Sequence, residues 1–452
     1  MQNQSRYRDD LTRSAVPTAT MHSQADAHSQ SASKRICLFG LFGMENYGND
    51  GSLEAILLFL RDRWPRATFS CVCIDPAEVE RAHNVASMRM SWRGPSNRTL
   101  QLINKLALTL PQKLGNWLVA IRHLRNFDVL MVPGTSPLCD YRAGSFGAPY
   151  AIFRWALSAR LARKPLFFVS VGAGPIEGRL SRWMLTYVVR SAAYRSFRDE
   201  NSKGFIASLG IDTRRDEVYP DLAFKLPVPL LARSSTLTSQ PVTIGVGLID
   251  YNGWHGHARP DDSIYQTYLA KMTHFVATLL ERGYRIRLLV GESADQRAIA
   301  GLQAALWHRG SLPGAAAQIV VEPVGRLDDV MRQLADTSIV IASRFHNIIC
   351  SLKAGRPTIS VGYQAKNDAL MAKFGLDRFC QHIEHFDTEL LLQQVTEMLR
   401  NPVGYEDMIK CKLMEFEEGI RDQERALAQV LFAAAGRGRV PARSGPLSHI
   451  LR

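Results

Sequence analysis

Nine short runs rich in Val, Ile and Phe alternate with longer stretches of helical period, and this pattern constrains the 452-residue chain more than any other feature. The runs are Arg35–Phe39, Thr68–Ile74, Asp128–Val132, Leu166–Val171, Val242–Val246, Arg285–Val290, Gln318–Glu322, Ser338–Ala342 and Thr358–Val361. Short apolar strands joined by helical crossovers build parallel sheets covered on both faces, so the chain reads as α/β. The alternation stops at residues 226–241, where Pro227, Pro229 and Pro241 bound a Ser/Thr-rich stretch, and restarts at Val242. The expected organisation is a flexible tail over 1–34, an α/β domain over 35–235 and a second over 236–404. A helical segment over 405–435, folding back across both halves, and a basic tail over 436–452 complete it. Two Rossmann-like, doubly wound domains then face each other across a cleft at the carboxyl ends of their sheets, where such folds bind ligands.

Apolar residues at 46% and charged residues at 21% supply enough material for buried cores and exclude a disordered or fibrous chain. No run of ~18 apolar residues reads as a transmembrane helix, and the polar start lacks a secretory apolar stretch, so the expected location is cytoplasmic. The seven cysteines follow no zinc or disulfide spacing and are expected to be reduced. A net charge of +13 is unevenly spread: no acidic residue occurs between Glu80 and Asp128, while eight Lys or Arg residues do. Positive surface of this kind suits small acidic substrates, anionic head groups or nucleic acid. No nucleic-acid reading motif and no aromatic stacking platform accompany the charge, so nucleic acid is the least expected partner.

Chemistry is expected on the loops that leave the strands. After the first strand, residues 40–52 carry Gly40, Gly43, Gly48 and Gly51 before a helical pattern at Leu53–Leu60, so backbone N–H groups could approach an anion. The spacing is neither a dinucleotide fingerprint nor a P-loop, and the plain alternative is a turn in which Asp50 or Ser52 caps the helix. Gly134-Thr135-Ser136 leading to Asp140, and Gly172-Ala173-Gly174-Pro175, follow two further strands on the same sheet edge. Arg198 leaves a short strand beside Asp199 and Glu200, either as a site residue or as part of a surface helix cap. The sharpest arrangement is strand Ser338–Ala342 followed by Ser343-Arg344-Phe345-His346 and a short helix. Tyr363 and Lys366 follow on the adjacent loop. A guanidinium, an imidazole and an ammonium would converge there, at helix amino ends that also favour an anion. The alternative is a histidine packed at a helix start with a surface lysine. Weaker candidates are Glu292 or Asp295 as a base, Asp295 also reading as a helix start, and His255, His257, Asp261 and Asp262 as a metal set that reads more simply as a loop.

Taken in order, Asn46-Tyr47-Gly48-Asn49-Asp50, Gly172-Ala173-Gly174-Pro175, Phe197-Arg198-Asp199-Glu200-Asn201-Ser202, Tyr219-Pro220-Asp221-Leu222-Ala223-Phe224, Arg344-Phe345-His346 and Tyr363 with Lys366 resemble the polysaccharide pyruvyl transferase family over roughly residues 36–400. The resemblance implies a GT-B-like pair of domains. It also implies transfer of pyruvate from phosphoenolpyruvate to a sugar as a cyclic ketal, with Arg198, His346 and Lys366 holding phosphoenolpyruvate. His346 and Arg344 are the expected catalytic pair, and Asn46, Asp50 and Asp140 the expected acceptor-side residues. No metal or other cofactor is called for, because side chains supply the cations. The basic, apolar stretch from Arg81 to Phe127 is expected either to form an ordinary core helix or to rest on an anionic membrane surface, peripheral to the inner face, where a lipid-linked acceptor could be met. Competing readings are a GT-B glycosyltransferase using a nucleotide sugar and a noncatalytic polysaccharide-assembly protein.

Overall fold

A computed structural model describes residues 34–91, 110–140, 144–229, 242–253, 262–308 and 315–436. Most of both expected tails, the heart of the expected linker, and His255, His257 and Asp261 lie outside the described residues.

The first sheet contains β1 (Arg35–Phe39), β2 (Thr68–Cys73), β3 (Ala86–Arg89), β4 (Val129–Pro133), β5 (Leu166–Val171), β6 (Tyr194–Phe197) and β7 (Glu217–Val218). The second contains β8 (Thr243–Gly247), β9 (Arg285–Leu289), β10 (Ile319–Val321), β11 (Ile339–Ala342), β12 (Thr358–Gly362) and β13 (Cys380–His382). The strand orders are β3-β2-β1-β4-β5-β6-β7 and β10-β9-β8-β11-β12-β13, and each pairing is parallel. All nine expected strands form. Those not foreseen as runs are short, and β3, β7 and β13 lie at sheet edges, where one-sided exposure permits polar residues such as those of Cys380-Gln381-His382.

The helices that matter for function are α1 (Tyr47–Arg63), α2 (Leu110–Arg125), α3 (Ala148–Leu161), α4 (Arg179–Ser191), α5 (Glu200–Ser208), α6 (Leu327–Leu334), α7 (Phe345–Lys353), α8 (Ala365–Lys373) and α9 (Pro402–Gly436). Helix α1 starts earlier than its sequence suggests. Neither Asp50 nor Ser52 caps it; the Asn46 side chain accepts from the Asn49 amide at 3.2 Å, which carries Gly48 and Gly51 into the first turns. The glycine-rich loop is therefore only residues 40–46.

The two faces of the first sheet bury different partners. Ile36, Leu38, Cys71, Met131 and Val169 pack under α1 in a core that continues through Leu222, Phe224 and Leu226 into the second domain. Cys37, Phe39, Leu130, Val132 and Phe168 pack on the other face beneath α2, α3 and α4. Helix α9 follows the second sheet yet returns to the first domain. Phe416 lies 4.6 Å from Phe224 between ring centroids, Lys225 pairs with Glu424 at 2.8 Å, and Lys34 donates to the Leu431 carbonyl at 3.0 Å. Both sheets change strand order at their centre, between β1 and β4 and between β8 and β11. In open parallel sheets, the loops at such a switch point part and leave a crevice.

Candidate active site

A cavity of about 190 Å³ lies where the carboxyl ends of the two sheets meet. Leu41, Asn46, Asn49, Thr135, Ser136 and Arg198 line it from the first domain, and Gly291, Arg344, Phe345, His346, Tyr363 and Lys366 from the second. Among the described residues, no carboxylate lines it.

Arg198 stands at the end of β6, with 3% of its side chain exposed. It donates through Nη1 to Asp221 Oδ2 at 3.1 Å and through Nη2 to Ser136 Oγ at 2.6 Å. The neighbouring Asp199 caps α5, accepting from the Ser202 amide at 2.6 Å, while its other oxygen stays 3.6 Å from Arg198 Nε. Burial works against the Asp221 charge, but Arg198 and then His346 outweigh it, so the carboxyl is held below the usual range. Gly172 makes room for this guanidinium, since a Cβ there would meet Arg198 Nη2 at 2.7 Å.

His346 and Lys366 occupy equivalent places, each second in a helix that follows one of two adjacent strands, β11 and β12. Their helix amino ends therefore point into the same space, and both dipoles favour negative charge there. The His346 imidazole packs on Gly48 of the opposite domain, where a Cβ would lie 1.9 Å from Nδ1. Its buried Nε2 has no hydrogen-bond partner among the described residues. Burial, reinforced by Arg198, Lys366 and Arg344, and only partly opposed by Asp221, lowers its pKa to about 4. Lys366 is lowered to about 7, chiefly by burial and next by Arg198. Phe345 lies between two cations, its ring centroid 4.9 Å from the Arg198 guanidinium carbon and 5.1 Å from Lys366 Nζ. The groups that face the cavity are thus cationic or neutral, while the acids that offset them, Asp199, Asp221, Glu292 and Asp295, stand outside its lining.

Arg344 differs from what its sequence position suggests. It lines the cavity, but its guanidinium is fixed by Asp295 at 2.6 Å and by Glu292 at 2.6 Å. Asp295 is fully buried and also accepts from the Gly291 and Glu292 amides at 3.3 and 3.1 Å. The two carboxylates considered as bases are thus committed to Arg344, and its charge is largely offset before any ligand arrives. Glu292 also takes a 3.5 Å hydrogen bond from Asn46 Nδ2, linking the two domains at the cavity rim.

The expected acceptor-side residues separate. Asn46 lines the cavity. Asp50 does not: it accepts from the Gly43 amide at 2.9 Å and opens on a second cavity of about 140 Å³ beside Glu54, Glu78, His83 and Arg326. Asp140 accepts from the Glu177 and Gly178 amides at 3.0 and 2.8 Å, anchoring the amino end of α4. Its carboxylate is committed to that turn because Gly178 precedes the helix without a side-chain cap of its own. Sequence reasoning gave no role to Asp221, Ser136 or Phe345. Only the recurrence of Asp221 and Phe345 inside recognisable motifs marked two of them, since their partners are far away in the chain. Of the proposed metal set, only Asp262 lies among the described residues, and no group of three metal-ligating side chains occurs among them.

Solved structures show where this architecture recurs. UDP-GlcNAc 2-epimerase from Neisseria meningitidis, bound to UDP-GlcNAc, superposes with a TM-score of 0.57 at 12% identity, covering 88% of this chain and 100% of that one. A glycosyltransferase from Rickettsia africae gives 0.56 at 10% identity over 90% and 100%. The α,α-trehalose 6-phosphate synthase from Burkholderia multivorans gives 0.53 at 12% identity over 90% and 100%. At such identities the likeness is one of fold, and that fold is GT-B-like. The sequence profile described as polysaccharide pyruvyl transferase matches residues 46–365, which include Asn46, Arg198, Asp221, Arg344 and His346 and stop one residue short of Lys366. The chain belongs to the polysaccharide pyruvyl transferase family.

Proposed function

We propose that the protein moves the pyruvyl group of phosphoenolpyruvate onto a sugar of a polysaccharide or its precursor, forming a cyclic ketal and releasing phosphate. The observation that carries this reading is the interdomain cavity lined by Arg198, His346 and Lys366 and by no carboxylate among the described residues. Phosphoenolpyruvate concentrates a carboxylate and a phosphate around three carbons, and a site for it must offset that charge within a few ångströms. Arg198, held by Asp221 and Ser136, brings a guanidinium to the cavity wall, and Lys366 adds a point charge. A volume of about 190 Å³ is also small for a nucleotide sugar, since pockets for larger ligands run to ~300–1,000 Å³.

In the mechanism we favour, His346 delivers a proton to the methylene carbon. The neighbouring carbon becomes oxocarbenium-like and is attacked by one sugar hydroxyl. Departure of phosphate lets a second hydroxyl of the same sugar close the ring. Of the two hydroxyl protons released, one restores the acid and the other leaves with phosphate. In the unliganded site His346 is neutral at pH 7. A bound dianion reverses the local balance and raises its pKa towards the range where an imidazole can act as an acid. In this reading Asn46, which lines the cavity, meets an acceptor hydroxyl. No step calls for a metal or redox cofactor.

The test is phosphate release from phosphoenolpyruvate over a panel of sugar acceptors, with mass spectrometry of the product. The expected product is the acceptor plus pyruvate minus water. Transfer of label from a sugar nucleotide, with none from phosphoenolpyruvate, replaces this reading by a glycosyltransferase.

A further inference from the structure

Helices α2, α3 and α4 lie side by side on the first domain, on the side of its sheet away from the core shared with the second domain. Their inner residues, among them Ala120, Leu124, Ile152, Trp155, Leu185 and Val188, fill the core beneath. Their outer surface is not polar. Leu114 is 64% exposed, Leu118 68%, Trp183 52%, and Phe146, just before α3, 79%. Ring contacts join the three helices into one surface, with Trp117 6.4 Å from Phe153 and Phe153 5.3 Å from Trp183. Soluble surfaces scatter single apolar residues; a joined patch of large ones points to a partner.

The charge around the patch says which partner. Together the three helices carry eight Lys or Arg residues and no Asp or Glu, with Lys113, Arg122, Arg160, Arg179, Arg182 and Arg190 exposed. Of the acidic residues in the adjoining loops, Asp128 is paired with Arg35 and Asp140 is bonded to the α4 amino end, leaving Glu177 as the exposed exception. A second copy docked through the same face would set like charges against like. An anionic bilayer meets both features, accepting the apolar rings at the head-group boundary and the guanidinium groups at its charged surface.

We propose that the α2–α3–α4 face docks the protein on an anionic lipid bilayer. Its location gives the docking a use. In a parallel sheet the following helices begin at the carboxyl edge, which here is the edge of the active-site cavity. Leu114, Phe146 and Trp183 sit in or just before the first halves of these helices, and Leu118 sits at the middle of α2. The bilayer therefore lies on the cavity side, within reach of an acceptor sugar carried on a lipid. That last step rests on the function proposed above, whereas the docking does not.

The test is co-sedimentation of the full chain with phosphatidylglycerol–phosphatidylcholine vesicles and with pure phosphatidylcholine vesicles at ~0.15 M salt. Retention is expected on the anionic vesicles alone, weakening as salt is raised. Arg179→Glu with Arg182→Glu should weaken it roughly thirtyfold or more, and Leu118→Asp with Trp183→Asp should abolish it. Lys366→Ala should bind as the parent does. Both docking variants should release phosphate normally with a water-soluble acceptor, so failure of docking and failure of the donor chemistry read out separately. Thermal unfolding checks folding, and Leu118→Ser with Trp183→Ser replaces an aspartate pair that does not fold. Absence of binding to anionic vesicles overturns the proposal, as does binding unchanged in both sets of variants. A dimer lost in the Leu118/Trp183 variant without vesicle binding also overturns it, assigning the face to a second copy.

Discussion

Two cavities border helix α1, and they differ in where their acids stand. The larger, about 190 Å³, is lined by Arg198, Arg344, His346 and Lys366. Arg344 is offset by Asp295 and Glu292, and Arg198 by Asp221 at 3.1 Å and Asp199 at 3.6 Å, while no ion pair to Lys366 occurs among the described residues. The smaller, about 140 Å³, sets Asp50, Glu54 and Glu78 against Arg81, His83 and Arg326. There, burial lifts Asp50 to about 6 and lowers His83 to about 4, so its members relax toward their neutral forms. The first cavity turns only cationic and neutral side chains inward, its carboxylates lying behind them, whereas acids and bases share the wall of the second. Proximity to a glycine-rich loop therefore says less about a cavity than the signs of the side chains that face it.

The largest effect that could break this comparison is at Arg198. Arg198→Met leaves the buried Asp221 carboxylate without its cation, and a loss of about 3–5 kcal/mol in unfolding free energy is expected together with loss of turnover. Denaturant unfolding measures it, and unchanged stability means that Asp221 carries no charge in the fold.

Next comes the imidazole. His346→Gln is expected to lower kcat by ~10²–10⁴-fold while phosphoenolpyruvate affinity changes less, and near-normal turnover removes it from the acid role. Gly48→Ala sharpens the point without altering any charged group. Its new Cβ needs the space now held by His346 Nδ1, so kcat should fall with the imidazole still present.

Lys366→Ala should raise the KM for phosphoenolpyruvate roughly ten- to hundredfold, the range for a charge-assisted hydrogen bond. The sign of the pH dependence follows from the lowered pKa of about 7: the ammonium loses its proton as pH rises through that value, so donor binding by the free protein weakens above it. Lys366→Arg keeps the cation and should remove that bend from the pH profile of kcat/KM. A bend that persists belongs to another group.

The smallest effect is expected at the second cavity, where Asp50→Asn leaves the donor KM unchanged. Because the Asp50 pKa is raised in the folded state, from 3.8 to about 6, the folded chain holds its proton more tightly than the unfolded one. This group's contribution to stability therefore declines as pH rises across that window, and the asparagine variant should flatten the decline in thermal unfolding. A raised donor KM in this variant would merge the two cavities into one functional site.

Much of the architecture was legible because parallel strands buried on both faces must be nearly continuous apolar runs, as in Val129-Leu130-Met131-Val132. The positions of His346 and Lys366 were legible for a related reason: a residue that follows such a strand and starts a helix can only stand at the sheet's carboxyl edge. The start of α1 was not, because the cap is made by Asn46 before a stretch of glycines that local propensity reads as loop. Nor was the fate of Arg344, since nothing near it in the chain announces Asp295 and Glu292, some fifty residues earlier. Asp140, expected on the acceptor side, accepts from two backbone amides nearly forty residues later, a pairing that its own segment does not announce.

The amino-acid order alone determined the two parallel sheets, the break between them and the sheet edge on which Arg198, His346 and Lys366 fall, because hydrophobic period and helix boundaries are local properties. Which of those cations keep a charge to offer was decided only in the folded molecule. Burial and the partners brought in from distant segments set that balance, Asp221 for Arg198, two acids for Arg344, and none among the described residues within ion-pair reach of Lys366.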